Sequence, residues 1–97
     1  MKGYWIVLGS DVTDPEAQQT YGKLWAPIAE KFGARLKTLD LGAVLREAET
    51  TRRVVVVEFP SYEQALACYA DPAYAEAKQH ALKASKRELL IVEGDLA

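Results

Sequence analysis

The chain has little cysteine, no long apolar run and no excess of basic residues. Cys68 is the single cysteine among 97 residues, so no internal disulfide can form. One histidine and one cysteine cannot make a closed zinc site, and we expect no metal and no cofactor. The first apolar run, Tyr4–Leu8, is too short for a signal-peptide core, and no stretch approaches membrane-spanning length. These features predict a cytoplasmic protein without a membrane partner.

The charge balance argues against a nucleic-acid partner. Twelve basic residues face 14 acidic ones, which gives a net charge of −2. Proteins that bind nucleic acid without sequence preference obtain affinity from Lys and Arg at phosphates. The doublets Arg52-Arg53 and Lys86-Arg87 are interpreted as solvated ends of strands rather than as a phosphate site.

The first half of the sequence predicts strand, helix and strand. Tyr4–Leu8 is an apolar run typical of a buried strand. Asp14-Pro15-Glu16 has the form of a helix start, and Gly33 is a typical helix end. We expect Pro27 to kink or break this helix, since its ring clashes with a preceding carbonyl. Residues 34–41 alternate, which indicates an edge strand.

The second half predicts strand, two helices and strand. Residues 52–59 include four consecutive valines and form the clearest strand, which Pro60 ends. Ser61 and Gln64 have the spacing of a capping box, and Asp71-Pro72 begins a further helix that extends to about Ser85. Residues 89–93 form the last strand. The order predicts one α+β domain over residues 1–97: a ferredoxin-like βαββαβ sandwich, with helices on one face of an antiparallel sheet.

The strands carry apolar side chains on both faces. In the first strand Tyr4, Ile6 and Leu8 oppose Trp5 and Val7, and the third and last strands show the same two-sided pattern. Helices cover only one face, so the other would expose a large apolar patch. A second copy of the chain can cover it by two-fold symmetry, which predicts a homodimer. The alternative is that residues 42–51 fold over the sheet.

Several motifs together resemble a small bacterial family, domain of unknown function 1330. They run almost from end to end: Lys2-Gly3-Tyr4-Trp5-Ile6-Val7, Asp14-Pro15-Glu16-Ala17, Lys31-Phe32-Gly33, residues 53–61, Asp71-Pro72-Ala73-Tyr74 and Val92-Glu93-Gly94. The resemblance implies a dimeric α/β barrel, in which two ferredoxin-like sheets pack across a two-fold axis. Ala34 stands where relatives usually have a second glycine, and Ala81 where many carry an arginine. If that arginine binds an anionic ligand in relatives, either this chain has lost that role or His80 or Lys83 has taken it over.

Three residues are candidates for acid–base chemistry: His80, Glu58 and Glu93. Histidine carries protons near neutral pH, and related barrels with haem use a helix histidine. The competing interpretation places His80 at the surface. Glu58 and Glu93 each end an apolar strand, so each must be paired, hydrated or raised in pKa. A raised pKa suits acid–base catalysis, whereas pairing with Arg35, Arg53 or Lys78 makes the role structural.

The aromatic residues suggest a ligand pocket. Tyr21 and Trp25 on one helix, with Tyr69 and Tyr74 from later helices, can converge between helices and sheet. Such a lining suits a flat, mostly apolar small molecule. By resemblance to the dimeric barrels, the function is then that of a cofactor-free monooxygenase or isomerase. The alternative is a non-catalytic dimeric binding or interaction module. RNA binding through the sheet is disfavoured, because the third strand lacks base-stacking aromatics.

Overall fold

A computed structural model of the chain describes residues 1–37 and 44–95. The elements are β1 (Gly3–Gly9), α1 (Pro15–Phe32), β2 (Arg35–Lys37), β3 (Arg53–Phe59), α2 (Tyr62–Ala70), α3 (Pro72–Ala84) and β4 (Arg87–Glu93). The strands are ordered β2-β3-β1-β4, and every neighbouring pair is antiparallel. The predicted α+β ferredoxin-like class is therefore confirmed. Residues 38–41 of the predicted second strand lie outside the described residues.

The helix ends follow the capping residues read from the sequence. Asp14 accepts a hydrogen bond from the Ala17 amide, Ser61 from the Gln64 amide, and Asp71 from the Ala73 amide. Each of these bonds satisfies an amide that has no partner within its helix. Gly33 ends α1 at φ 66°, a left-handed conformation that glycine adopts without strain.

Pro27 does not break the first helix. α1 continues through it for another turn and ends at Phe32. Proline costs one backbone hydrogen bond to the residue four positions earlier, here Lys23. Both Pro27 and Lys23 are exposed, so water can solvate the carbonyl that loses its partner.

The sheet register separates two apolar faces. Trp5 pairs with Val57 and Ile91, and Val7 pairs with Val55 and Leu89. These side chains share the face on which α1, α2 and α3 pack, and the buried core forms there. The opposite face carries the remaining apolar set: Tyr4, Ile6, Leu8, Val54, Val56, Leu90 and Val92. The sheet is thus apolar on both sides, as the sequence pattern predicts.

The core lies between β1, β3 and the helices. Its largest fully buried side chains are Trp5, Tyr74, Phe59 and Cys68, whereas Tyr4 is buried on the other face of the sheet, beside Glu58. The buried face of α3 consists mainly of alanine, and these small side chains let the helix pack closely against α1. None of the helices within residues 1–37 and 44–95 combines the length and apolarity that a membrane span requires.

Candidate functional site

A cavity of about 260 Å³ lies between α1 and the end of the sheet where β1 finishes. Its floor is formed by Trp5, Val7, Val55 and Val57, which are neighbours across β1 and β3. Leu36 of β2 borders the cavity at the sheet edge. This floor is wholly apolar.

The wall opposite the floor comes from one face of α1. Gln18, Tyr21, Gly22 and Trp25 line it, at spacings of three and four residues that place them on adjacent turns. The rings of Tyr21 and Trp25 are nearly parallel, at 11°, with centroids 6.4 Å apart. Gly22 widens the wall, because it presents no side chain.

Trp5 joins the cavity to the core. Its ring centroid lies 5.4 Å from that of Trp25, 5.1 Å from that of Phe59 and 4.9 Å from that of Tyr74. Its indole N–H donates a hydrogen bond of 3.0 Å to the Ala65 carbonyl. The ring is therefore fixed in position and satisfied as a donor, and it offers the cavity an apolar surface.

Two arginines close one end of the cavity. Gly9 pairs with Arg53 on one side and with Arg87 on the other, so the two arginines flank a glycine in one row across the sheet. Both arginines line the cavity. A Cβ atom on Gly9 would lie 2.8 Å from the Arg53 Nη2 atom. The absence of a side chain at Gly9 therefore makes room for the Arg53 guanidinium.

The guanidinium groups are held by neutral acceptors. Arg53 donates from Nε to the Ser10 carbonyl at 2.9 Å and from Nη2 to the Ser85 hydroxyl at 3.2 Å. Arg87 donates from Nη2 to the Tyr74 hydroxyl at 3.1 Å, and its guanidinium carbon lies 5.3 Å from the Tyr21 ring centroid. Each guanidinium carries five N–H donors, so both keep donors beyond these bonds.

Tyr74 connects Arg87 to the cavity wall. Its hydroxyl lies 3.3 Å from that of Tyr21, at hydrogen-bond distance. Burial raises the pKa of Tyr74 well above its ordinary value of 10.0, and the neighbouring Tyr21 adds to the rise, against the opposing charge of Arg87. Tyr74 therefore stays protonated at neutral pH and acts as a hydrogen-bonding group, not as a base.

The four residues predicted to line a pocket do not share one cavity. Tyr21 and Trp25 line the 260 Å³ cavity. Tyr74 packs against Tyr21, Trp25 and Trp5 and is only 1% exposed. Tyr69 lies 5.4 Å from Tyr74 between ring centroids but lines a separate cavity of about 100 Å³. All four side chains thus belong to one aromatic cluster, but only two of them line the 260 Å³ cavity.

Glu58 lies on the sheet face opposite the cavity, since its neighbour Val57 belongs to the cavity floor. Its Oε2 atom is 3.4 Å from Lys2 Nζ and 3.7 Å from Lys37 Nζ, and it accepts a bond of 3.3 Å from the Tyr4 hydroxyl. Burial by itself would raise the pKa of this carboxyl. The hydrogen bond and charge of Lys2, with the charge of Lys37, bring the pKa below its ordinary value of 4.5. The pairing alternative therefore describes Glu58, with lysines as the partners.

His80 and Glu93 lie away from the aromatic cavity. His80, on α3, borders a polar cavity of about 420 Å³ beside the start of α1, with Asp14, Glu16, Lys23 and Lys83. Glu93 is exposed at the last position of β4. Arg87 is at the first position of the same strand, about 20 Å away. The three acid–base candidates therefore lie in three separate places.

Metal and thiol chemistry find no support in the described residues. Within residues 1–37 and 44–95, no three histidine, cysteine or acidic side chains gather closely enough to hold a metal ion. Cys68 is fully buried, and burial raises the pKa of its thiol to about 12, with a further rise from Asp71. The thiol therefore stays protonated and unreactive at neutral pH.

The sequence pattern of one protein family matches residues 2–95, nearly the whole chain. The chain belongs to family DUF1330. The family is described as a domain of unknown function. No curated protein is significantly similar in sequence to this DUF1330 domain.

Solved structures share the fold of this DUF1330 domain at low identity. A protein of unknown function from Rhodopseudomonas palustris is 21% identical, with a TM-score of 0.66 over 99% of this chain and 84% of its own. A variant of SnoaB, a cofactor-independent oxygenase from Streptomyces nogalater, is 14% identical, with a TM-score of 0.67 over 99% and 95%. A dimeric protein of unknown function with a ferredoxin-like fold from Bacteroides fragilis is 15% identical, with a TM-score of 0.54 over 96% of each chain. These similarities establish the fold.

Sequence reasoning missed the arginines of the cavity in this DUF1330 domain. Arg53 and Arg87 are the second members of doublets interpreted as solvated strand ends. The sequence does contain a clue to their position. Side chains alternate along a strand, and each arginine is two residues before an apolar residue that faces the helices. Ala81, which stands at the position expected to be arginine in many relatives, is 1% exposed. Neither His80 nor Lys83, the two candidate replacements, lines the aromatic cavity. The cationic groups of the cavity come from the strands.

Proposed function

We propose that this DUF1330 domain binds a flat, mostly apolar small molecule in the cavity between α1 and the sheet. The observation that carries the proposal is the lining: two indole rings and a tyrosine ring around a valine floor, with polar groups confined to one end. Small-molecule sites are typically concave and apolar, with a few polar groups that fix orientation. The polar cavity beside His80 is larger but lacks this apolar surface.

The reaction proposed for this cavity is cofactor-independent oxygenation. The fold is shared with SnoaB, and the lining offers an apolar space for an aromatic molecule and O₂. A CH₂ group between two aromatic rings is the simplest substrate for such a step. It loses two hydrogens and four electrons and becomes a carbonyl. One oxygen atom of O₂ enters that carbonyl, and the other leaves with the two hydrogens as water.

A binding experiment with 7-methoxycoumarin tests the pocket, because this flat two-ring molecule is largely apolar and carries no ionisable group. Isothermal titration calorimetry should show one site per chain. Trp25→Ala should weaken binding about ten-fold, since it removes one wall of the cavity, whereas Tyr69→Ala, at an aromatic residue outside the cavity, should not. Equal effects of both substitutions, or no binding by the unmodified protein, would overturn the pocket.

Oxygen labelling tests the reaction separately. Protein and 1,8-dihydroxyanthrone are incubated under ¹⁸O₂, and the product is analysed by mass spectrometry. The proposal predicts one ¹⁸O atom in the new carbonyl, formed faster than in buffer and at a rate that Trp25→Ala lowers. A rate equal to that in buffer would refute oxygenation while leaving the binding result intact.

We further propose that two copies pair through the sheet face opposite the helices. Leu90 on that face is 45% exposed, and the neighbouring Ile6, Leu8, Val54, Val56 and Val92 are half-buried. Covering apolar area is worth about 25 cal/mol per Å², which favours association. The protein from Bacteroides fragilis with this fold is described as dimeric, which supports the proposal.

A further inference from the structure

We propose that the cavity binds its ligand as an oxyanion, a phenolate, enolate or carboxylate attached to the flat ring system, through Arg53 and Arg87. This inference rests on the proposed small-molecule pocket and specifies the chemical class of its ligand. The anionic group would lie at the closed end of the cavity beside Gly9, and the rings would lie between the valine floor and Trp25.

The first argument is that no acidic side chain among the described residues balances the charge of the two cavity arginines. The ion pairs within residues 1–37 and 44–95 involve Lys2, Lys31 and Lys37, and no carboxylate of these residues lies within 4.0 Å of either cavity arginine. The described residues that line the cavity include two arginines and no Asp or Glu. A half-buried cation without a counter-charge is costly, and an anionic ligand offsets that cost.

The second argument is that the guanidinium groups are preorganised. Bonds to the Ser10 carbonyl and the buried Ser85 hydroxyl hold Arg53, and the buried Tyr74 hydroxyl holds Arg87. These acceptors are neutral, so they orient the cations without cancelling their charge. Donors fixed in advance lose little entropy when a ligand binds, which strengthens charge-assisted hydrogen bonds.

The third argument concerns protonation. The described lining contains no carboxylate and no imidazole, so none of these side chains is an ordinary base that could remove a proton. Two positive charges beside an ionisable ligand instead stabilise its deprotonated form directly. The ligand would therefore give up its proton to solvent on binding and remain an anion in the site.

The test compares 7-hydroxycoumarin with 7-methoxycoumarin. The two molecules have the same ring system, but only the hydroxy compound can ionise, and its absorption spectrum distinguishes phenol from phenolate. Spectrophotometric titration should show that the pKa of the bound dye is lower than that of the free dye by about one unit, which corresponds to about ten-fold tighter binding of the phenolate. Arg87→Gln and Arg53→Gln should each reduce this shift. Arg52→Gln, at the exposed neighbour of Arg53 outside the cavity, should leave it unchanged.

The outcomes separate the inference from the proposed function. If both coumarins bind equally and the dye pKa does not fall, the anionic class is refuted and the apolar pocket stands. If neither compound binds, the pocket itself is refuted. The pKa shift is measured on the unmodified protein, so it decides the question even if an arginine variant fails to fold. Arg53→Lys and Arg87→Lys, which keep the charge but lose the guanidinium fork, should retain part of the shift.

Discussion

At the scale of single residues, the two faces of one strand carry charged side chains with different roles. One charge belongs to an ion pair, and the other lines the cavity. Glu58 and Arg53 both belong to β3, but their side chains lie on opposite faces of the sheet. Glu58 is neutralised by lysines, whereas Arg53 is held by uncharged groups. The alternation of the strand could be read from the sequence. The partners of each charge could not, because they come from the distant residues Lys2 and Ser85.

Glu58 should make stability depend on pH. Its pKa is lower in the folded protein than its ordinary value of 4.5, so the contribution is complete above that value and is lost as pH falls through the folded pKa. We expect Glu58→Gln to lower the urea midpoint at pH 7 and to have little effect near pH 3. Glu93→Gln, at an exposed residue outside the ion pairs of the described chain, is the matched control and should not change the midpoint at either pH. An equal loss at both pH values would contradict the ion-pair account of Glu58.

At the scale of elements, local signals were sufficient for most boundaries. Asp14, Ser61 and Asp71 start their helices as predicted, because capping bonds span only a few residues. Pro27 was expected to kink or break α1, and the helix does not break there. The position is exposed, so water can replace the backbone hydrogen bond that proline removes. The cavity was only half predicted. The helical spacing of Tyr21 and Trp25 is local, but the position of Tyr69 depends on how α2 packs.

The wall helix α1 offers a test of the cavity by substitution at Gly22. Nothing lies within 4 Å of a Cβ atom built at this exposed glycine, so Gly22→Ala should cause no clash. Alanine is favoured over glycine inside a helix by about 0.8–1.0 kcal/mol, and we expect a gain of that order in the free energy of unfolding. Urea denaturation measures the gain. A loss of stability would mean that the helix packs more tightly at Gly22 than described.

The same position should separate stability from binding. Gly22→Leu places a larger side chain at the wall of the cavity and should weaken 7-methoxycoumarin binding without lowering stability. Gly22→Ala should affect the ligand less. If the leucine variant binds the probe as well as the unmodified protein does, the ligand lies elsewhere.

At the scale of the whole molecule, the sheet separates two surfaces with different proposed roles. The helix-covered face contains the aromatic cavity, and the opposite face is proposed to meet a second copy. The two-sided apolar strands predicted both surfaces from sequence. They did not indicate which set faces the helices, since both sets contain large side chains.

The proposed dimer predicts a specific difference between two exposed leucines. Leu90→Lys places a charge on the sheet face and should shift the protein toward monomer in sedimentation velocity. Leu82→Lys, at the 56% exposed Leu82 on α3, should not change the mass. Leu90→Lys should also leave 7-methoxycoumarin binding intact, because the cavity lies across the sheet. A dimer that tolerates a lysine at position 90 would place the interface on another surface.

The most direct test of the central claim is a ¹H–¹⁵N NMR titration of the protein with 7-hydroxycoumarin. The chain has two tryptophans, and both line the cavity, so each of the two indole N–H signals reports on it. We predict that both indole signals and the Gly22 amide shift together and saturate with a single dissociation constant. Saturable binding that leaves the Trp5 and Trp25 signals unmoved would contradict the cavity as the ligand site.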